Sequence, residues 1–322
     1  MTAGLRSAVA ATPREFPVHR PVLVGLLAAV LLTGCAAQPV TPPAAPTATT
    51  AAAFPVTVST DRGAVALASA PLRVVSLSPT ATETLFAVGA GAQVVAVDSR
   101  STYPPQAPTT DLSGYTPDAE AVLAQHPDLV VVSDDIDGVV DHLTAAGVPT
   151  LLLGAAKDLQ GTYDQITTLG TATGHRTGAD AVVADMTTRI AAVPRAPRPL
   201  TYYYELDPTL YTATSDTFVG RLLDGLGLVN VADPADVDGS GYPQVSAELL
   251  VGADPDLVLL ADTACCGQSA QTYAQRPGFA GSAAVRTGGV VALDDDVASR
   301  WGPRVVDLVE QVSAAARAVP TS

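Results

Sequence analysis

One stretch of this chain occurs twice without a gap. Asp118-Ala119-Glu120 runs through Ala121–His126 to Pro127-Asp128-Leu129-Val130, and Ser246-Ala247-Glu248 runs through the same spacing to Pro255-Asp256-Leu257-Val258. In each copy a helix-capping residue opens a short helix, with Glu two positions on, and Pro-Asp opens the next strand. A chain written this way folds as two like halves. The helix dipole favours a Glu in the first turn by about 0.3–1 kcal/mol. The same group at matching points of two lobes would also form a paired, exposed acidic contact. The match by itself fits both readings.

Around these copies the chain alternates short Val/Leu runs with helix-like stretches from about Leu72 to Val319. Strands are expected at Arg73–Ser78, Val94–Asp98, Leu129–Ser133 and Thr150–Leu153. In the second half they are expected at Thr201–Leu206, Leu257–Ala261 and Val290–Leu293. Helices fall between them, at Thr80–Val88, Gly138–Ala146 and Thr217–Leu226, and a last helix runs from about Pro303 to Val319. Short apolar strands separated by helices make parallel βαβ units, so the fold class is α/β. The expected division is an N-terminal lobe over 72–157, a connecting helical region over 158–194 and a C-terminal lobe over 199–320. Asp158–Gly174 and Gly178–Val193 both read as helix, ended by Pro194, Pro197 and Pro199. One or two helices therefore join the lobes, and a helical hinge restricts domain closure.

The chain begins with Arg6, Arg14 and Arg20 ahead of an apolar run, Val22–Leu32, too short for a typical spanning helix. It reads as a signal-peptide core over residues 1–34. Leu32-Thr33-Gly34-Cys35 resembles the bacterial lipobox, which makes Cys35 the lipidated N-terminus and leaves an N-terminal lipid as the sole membrane attachment. Residues 35–55 are almost all Ala, Pro and Thr, a tether with too few bulky groups to pack. The net charge is −15, and removal of residues 1–34 takes away three Arg and one Glu, giving about −17. That balance argues against nucleic acid and against a basic membrane-binding face. The one lysine, Lys157, stands against sixteen arginines, a skew that reads as coding bias without functional weight.

Arg73-Val74-Val75-Ser76-Leu77-Ser78-Pro79, Thr82-Glu83, Val97-Asp98 with Tyr103-Pro104-Pro105, and the two Glu–Pro-Asp-Leu-Val segments, taken in order, resemble one family. It is the cobalamin- and ferric-siderophore-binding proteins of ABC importers, its vitamin B12-binding branch above all. The likeness covers nearly all of residues 72–318. It implies two Rossmann-like lobes joined by one long backbone helix, with a small metal-chelate ligand in the cleft between them. It implies a monomer that binds without catalysis, with no cofactor beyond the cobalt or iron the ligand itself carries. Glu120 and Glu248 become docking carboxylates, one per lobe, for Arg residues of the permease. Tyr115, Tyr211 and Tyr242 match positions that present aromatic rings to a corrin, Tyr115 after a one-residue shift, and Asp296 and Arg300 match a polar pair. Arg100 and Ser133 depart from the aromatic residues expected there. Arg100, Arg300 and Arg304 would accordingly meet an anionic ligand. A corrinoid is the first expectation and a ferric siderophore the second, and for haem Tyr103 or Tyr115 would supply the axial ligand.

Cys265-Cys266 is expected in a loop at the cleft end of the second lobe. Outside the cytosol such a pair closes into a vicinal disulfide, remains as two thiols, or offers soft ligands to a metal-bearing ligand; the disulfide, as a rigid edge of the pocket, is favoured. His126, His142 and His175 lack metal-ligand spacing. No Gly-x-Ser-x-Gly elbow is present, which argues against a hydrolase. A structural adhesion lipoprotein would share the anchor and would have no use for the paired Glu motif.

Overall fold

The structure, a computed structural model, describes residues 54–320. The signal segment, Cys35 and nearly all of the tether lie outside the described residues. The described chain starts with a hairpin that the sequence reading left unassigned: β1 (Val56–Thr60) pairs antiparallel with β2 (Gly63–Leu67). Its signal was there, two five-residue segments flanking Asp61-Arg62, close behind the Ala/Pro/Thr run.

In the first lobe β3 (Val74–Leu77), α1 (Pro79–Ala87), β4 (Val94–Val97), α2 (Ala119–Leu123), β5 (Leu129–Val132), α3 (Val139–Ala145) and β6 (Thr150–Leu152) alternate. The four strands form one parallel sheet, ordered β4-β3-β5-β6. Two linking helices follow, α4 (Leu159–Thr173) and α5 (Arg176–Ala192). The second lobe starts with β7 (Leu200–Glu205), α6 (Phe218–Gly225), β8 (Leu228–Asn230), α7 (Ala247–Ala253) and β9 (Leu257–Leu260). It continues through short helices α8 (Thr263–Cys266), α9 (Ala270–Ala274) and α10 (Ala283–Thr287) to β10 (Val290–Ala292), α11 (Asp295–Ala298) and α12 (Val305–Ala318). Its parallel sheet is ordered β8-β7-β9-β10. Counted by appearance, each sheet has its first strand between the second and the third, with the fourth outside the third. The repeated sequence unit is therefore a repeated topology.

Both faces of each sheet are covered, which is why the strands are mostly apolar rather than alternating with polar residues, and why most of the exceptions, Ser76, Thr150, Glu205 and Asn230, are themselves buried. Leu129 and Val131 of β5, Tyr202 and Tyr204 of β7, and Leu257 and Leu259 of β9 all belong to one apolar cluster that runs through both lobes. Their neighbours along the strands point the other way. Val130 and Val132 pack on α2 and α3, and Val258 and Leu260 pack with Tyr273 and Phe279.

The shared cluster is continuous because α5 is part of it, through Ala179 and Met186. Helix α4 rests on α1 and β1 in the first lobe, whereas α5 touches α4, α1 and α12. Gly178 sets the approach of α5: a Cβ there would lie 2.0 Å from the Val88 carbonyl at the end of α1. At the far end Arg189 pairs with Asp307 and Glu310 of α12. The link thus consists of two helices, of which α5 is the backbone between lobes.

Candidate functional site

In a parallel sheet every strand ends on the same side, and α/β folds place their ligands beyond those ends. Here the two sets of carboxyl ends line a common cleft. Ser78 follows β3, Asp98 follows β4, Ala261 follows β9 and Asp295 lies just beyond β10, and all four line one chamber of about 540 Å³. Leu206, after β7, lines a second chamber of about 580 Å³. Ser299, Arg300 and Trp301 belong to both and form the ridge between them.

The ridge is fixed to the first lobe. Glu83 on α1, almost fully buried, accepts from Arg300 at 2.5 Å and from Arg304 at 2.5 and 2.8 Å. Arg300 also reaches Asp296 at 2.7 Å and donates to the Arg100 carbonyl. Thr102 donates to Asp296, and Trp301 Nε1 donates to Gln165 of α4 at 3.0 Å. Apart from the Arg300–Asp296 pair, each bond ties this segment of the second lobe to the first lobe or to α4. The expectation that Arg300 and Arg304 meet an anion is therefore corrected: the two cations share Glu83, and Asp296 supplies the second negative charge at Arg300. The Arg304 guanidinium also lies 4.0 Å from the centre of the Tyr103 ring. Tyr103 consequently faces a groove beside α5 and lines neither chamber.

The remaining expected ligand contacts divide. Arg100, Tyr115, Asp296 and Arg300 line the 540 Å³ chamber, and Ser133 lines it with them. Tyr242, with Arg300, lines the other. Tyr211 lines neither; it sits in a β-bridge with Gln244, half-exposed at the edge of the second lobe. Arg100 is exposed and has no ion-pair partner among the described residues. Tyr115 is the most open of the three rings, at 75%.

Cys265 and Cys266 are joined as a vicinal disulfide. They end the helical turn α8, where a loop was expected, and Cys265 faces the 540 Å³ chamber. The Asp295 carboxylate holds that turn, accepting from the N–H groups of Thr263, Ala264 and Cys265 and from the Thr263 hydroxyl. Burial pushes the Asp295 carboxyl up, yet these donors outweigh it and leave it below the usual carboxylate range.

Residues 74–297 match the periplasmic binding protein family model. A cobalamin-binding protein of Halobacterium salinarum is 33% identical over 301 residues, covering 89% of this chain and 80% of that protein. The chain belongs to the periplasmic binding protein family. An ABC-transporter substrate-binding lipoprotein of Bacillus subtilis is 28% identical over 89% of the chain and 93% of its own length. Among solved structures, the periplasmic vitamin B12-binding protein of Vibrio cholerae matches at a TM-score of 0.63. It has 26% identity and covers 78% of this chain and 99% of that one. A periplasmic haem-binding protein of Roseiflexus matches at 0.67, also 26% identical, over 77% and 99%.

In this periplasmic binding protein the repeated Glu residues take equivalent places. Glu120 follows the Asp118 cap of α2 and Glu248 follows the Ser246 cap of α7, and both are exposed. Each helix leads into a strand of a parallel sheet and runs antiparallel to it. Each Glu therefore lies at the strands' carboxyl ends, the end that carries the cleft. The dipole contribution and the exposed pair coexist.

Besides Asp134 and Asp295 of the 540 Å³ chamber, three charged cleft residues of this solute-binding protein escaped the sequence reading. Lys157, set aside as coding bias, lines the 580 Å³ chamber together with Arg221 of α6 and Asp216. Nothing local in the sequence marks them, because chain folding alone brings residue 157 to residue 221. Among the described residues no cluster of His, Cys, Asp and Glu could hold a metal ion, and no helix is long and apolar enough to cross a membrane.

Proposed function

We propose that this periplasmic binding protein captures a corrinoid of the vitamin B12 type between its lobes and delivers it, chemically unchanged, to an ABC-type permease. The observation that carries the choice of ligand is the charge of the 540 Å³ chamber. Asp98, Asp134, Asp295 and Asp296 line it against Arg100 and Arg300. An acidic chamber walled by the open Tyr115 ring suits a rigid macrocycle around a cationic cobalt centre. Haem, with two propionates, and anionic ferric chelates meet the same chamber at a disadvantage. Relatives named for cobalamin support the reading.

A second reading, haem or a ferric siderophore, draws on the accessible phenols of Tyr115 and Tyr242 and on the haem-binding structural neighbour. Glu120 and Glu248 serve as the docking carboxylates, pairing with Arg residues of the permease. Cys35 carries the lipid, residues 35–55 are the tether, and a monomer works at the outer face of the cell membrane.

Trp301, the one tryptophan of the chain, sits on the ridge shared by both chambers and reports on either. Titration of the soluble body with cyanocobalamin should change its fluorescence saturably, while haem and ferric enterobactin compete weakly. Tight haem binding with no response to cyanocobalamin would replace the corrinoid reading with the second one.

A further inference from the structure

The two chambers carry opposite charge. The 540 Å³ chamber has four aspartates against two arginines, and the 580 Å³ chamber has Lys157, Arg221 and Arg300 against Asp216 alone. Arg300 is cancelled by its own partners. Lys157 has no ion-pair partner among the described residues, and Arg221 reaches the Asp216 carboxylate only at 3.8 Å while its Nε donates to the Asp216 carbonyl at 3.3 Å. A chain of net charge −15 thus gathers its lone lysine and a loosely held arginine around one cavity. They come from opposite sides: Lys157 just before α4, and Arg221 on α6 of the second lobe. Phe218, Trp301 and Leu308 line the same space. Beside such apolar walls a cation attracts an anion more strongly than it would in open water.

We infer that this chamber is a subsite for an anionic, phosphodiester-bearing arm of the ligand, clamped between Lys157 and Arg221. The inference rests on the corrinoid reading and extends it. A complete corrinoid is itself polarised: the cobalt macrocycle is cationic, and the arm that carries its nucleotide base is joined through a phosphodiester with one negative charge. With the macrocycle in the acidic chamber, the ridge at Arg300 would divide ring from arm, and the arm would enter the basic chamber. Lys157 supplies a point charge and Arg221 a planar fork, the two donor types that suit phosphate oxygens. The cleft would then select complete corrinoids over those lacking the arm.

Cyanocobalamin and aquacyanocobinamide share a corrin ring of the same positive charge, and only the first has the phosphodiester arm. The wild-type protein should bind cyanocobalamin more tightly, with an affinity that falls as salt rises. Replacing both Lys157→Ala and Arg221→Ala should weaken cyanocobalamin roughly tenfold or more, the loss expected of charge-assisted hydrogen bonds. It should leave aquacyanocobinamide unchanged and flatten the salt dependence. Both side chains are exposed and outside the apolar clusters, so the melting temperature should hold, and Lys157→Arg should retain most of the affinity. Equal wild-type affinity for the two ligands, or equal loss for both in the double variant, would overturn the subsite while sparing the corrinoid reading. Failure of the wild-type protein to bind either ligand would remove that reading and the subsite with it.

Discussion

The two lobes share one topology and differ in what they bury. The outer face of the first sheet packs with aliphatic side chains alone: Val75, Leu77, Val130, Val132 and Leu143 among them. The matching face of the second holds Tyr203 and Tyr273 and, beside them, a buried polar group. Glu205, at the end of β7, accepts from both terminal nitrogens of Arg276 at 2.5 and 2.6 Å. Asp262, just past β9, is fully buried, and neither carboxylate oxygen has a hydrogen-bond partner among the described residues. Burial first, and then the Glu205 charge, push its carboxyl up to about 7. The shared pattern of apolar residues is enough to specify the sheet. The polar group in one lobe adds cost and pH dependence that the fold does not require.

The largest expected effect tests whether the lobes are equal where they meet the permease. Glu120→Arg with Glu248→Arg should abolish uptake in a reconstituted transport assay and leave ligand affinity of the isolated protein unchanged. Each single change should give a similar partial loss, since each lobe offers one carboxylate in the same setting. A collapse of affinity would place these residues in the pocket instead. Next in size, Arg276→Ala should destabilise the protein by about 3–5 kcal/mol in urea denaturation, because it strands Glu205 and Asp262 without a cation. No residue of the first lobe's outer core offers an equivalent loss.

The smallest effect concerns pH. The Asp262 carboxyl holds its proton more tightly folded than unfolded, so its contribution is most favourable in acid. That contribution declines as pH rises from about 4, the ordinary Asp value, to about 7, and is flat above. Asp262→Asn should remove this slope and raise stability at pH 8 by about 1–3 kcal/mol. Parallel stability curves for variant and wild type would show that Asp262 is ionised at no cost.

Much of the fold was legible because fully covered parallel strands are apolar at nearly every position. Leu129–Val132 and Leu257–Leu260 announce themselves as uninterrupted runs, and Val74–Leu77 as a run broken only by the buried Ser76. The three-residue β8 and the short helices α8, α9 and α10 did not, because four or five residues hold too little periodicity to rise above a loop. The site was legible only in part. Tyr115, Tyr242 and Arg100 could be named from resemblance, but not the ridge that separates Tyr242 from the other two. Arg300 and Arg304 read as free cations because their partner, Glu83, lies 217 and 221 residues away. Residue type shows that a charge exists, and only folding shows whether it is spent.

Helix α5 and the Glu83 bonds join the lobes through one unbroken core, and a receptor built so is stiff. If Glu120 and Glu248 dock the permease as proposed, a stiff link should keep them nearly the same distance apart whether or not the cleft is filled. Under the proposed function, posture then carries almost no news of occupancy. The transporter has to recognise cargo by touching it, and empty receptors queue at the same gate as full ones. Traffic through that gate depends on the ratio of full to empty receptors as well as on the number that are full.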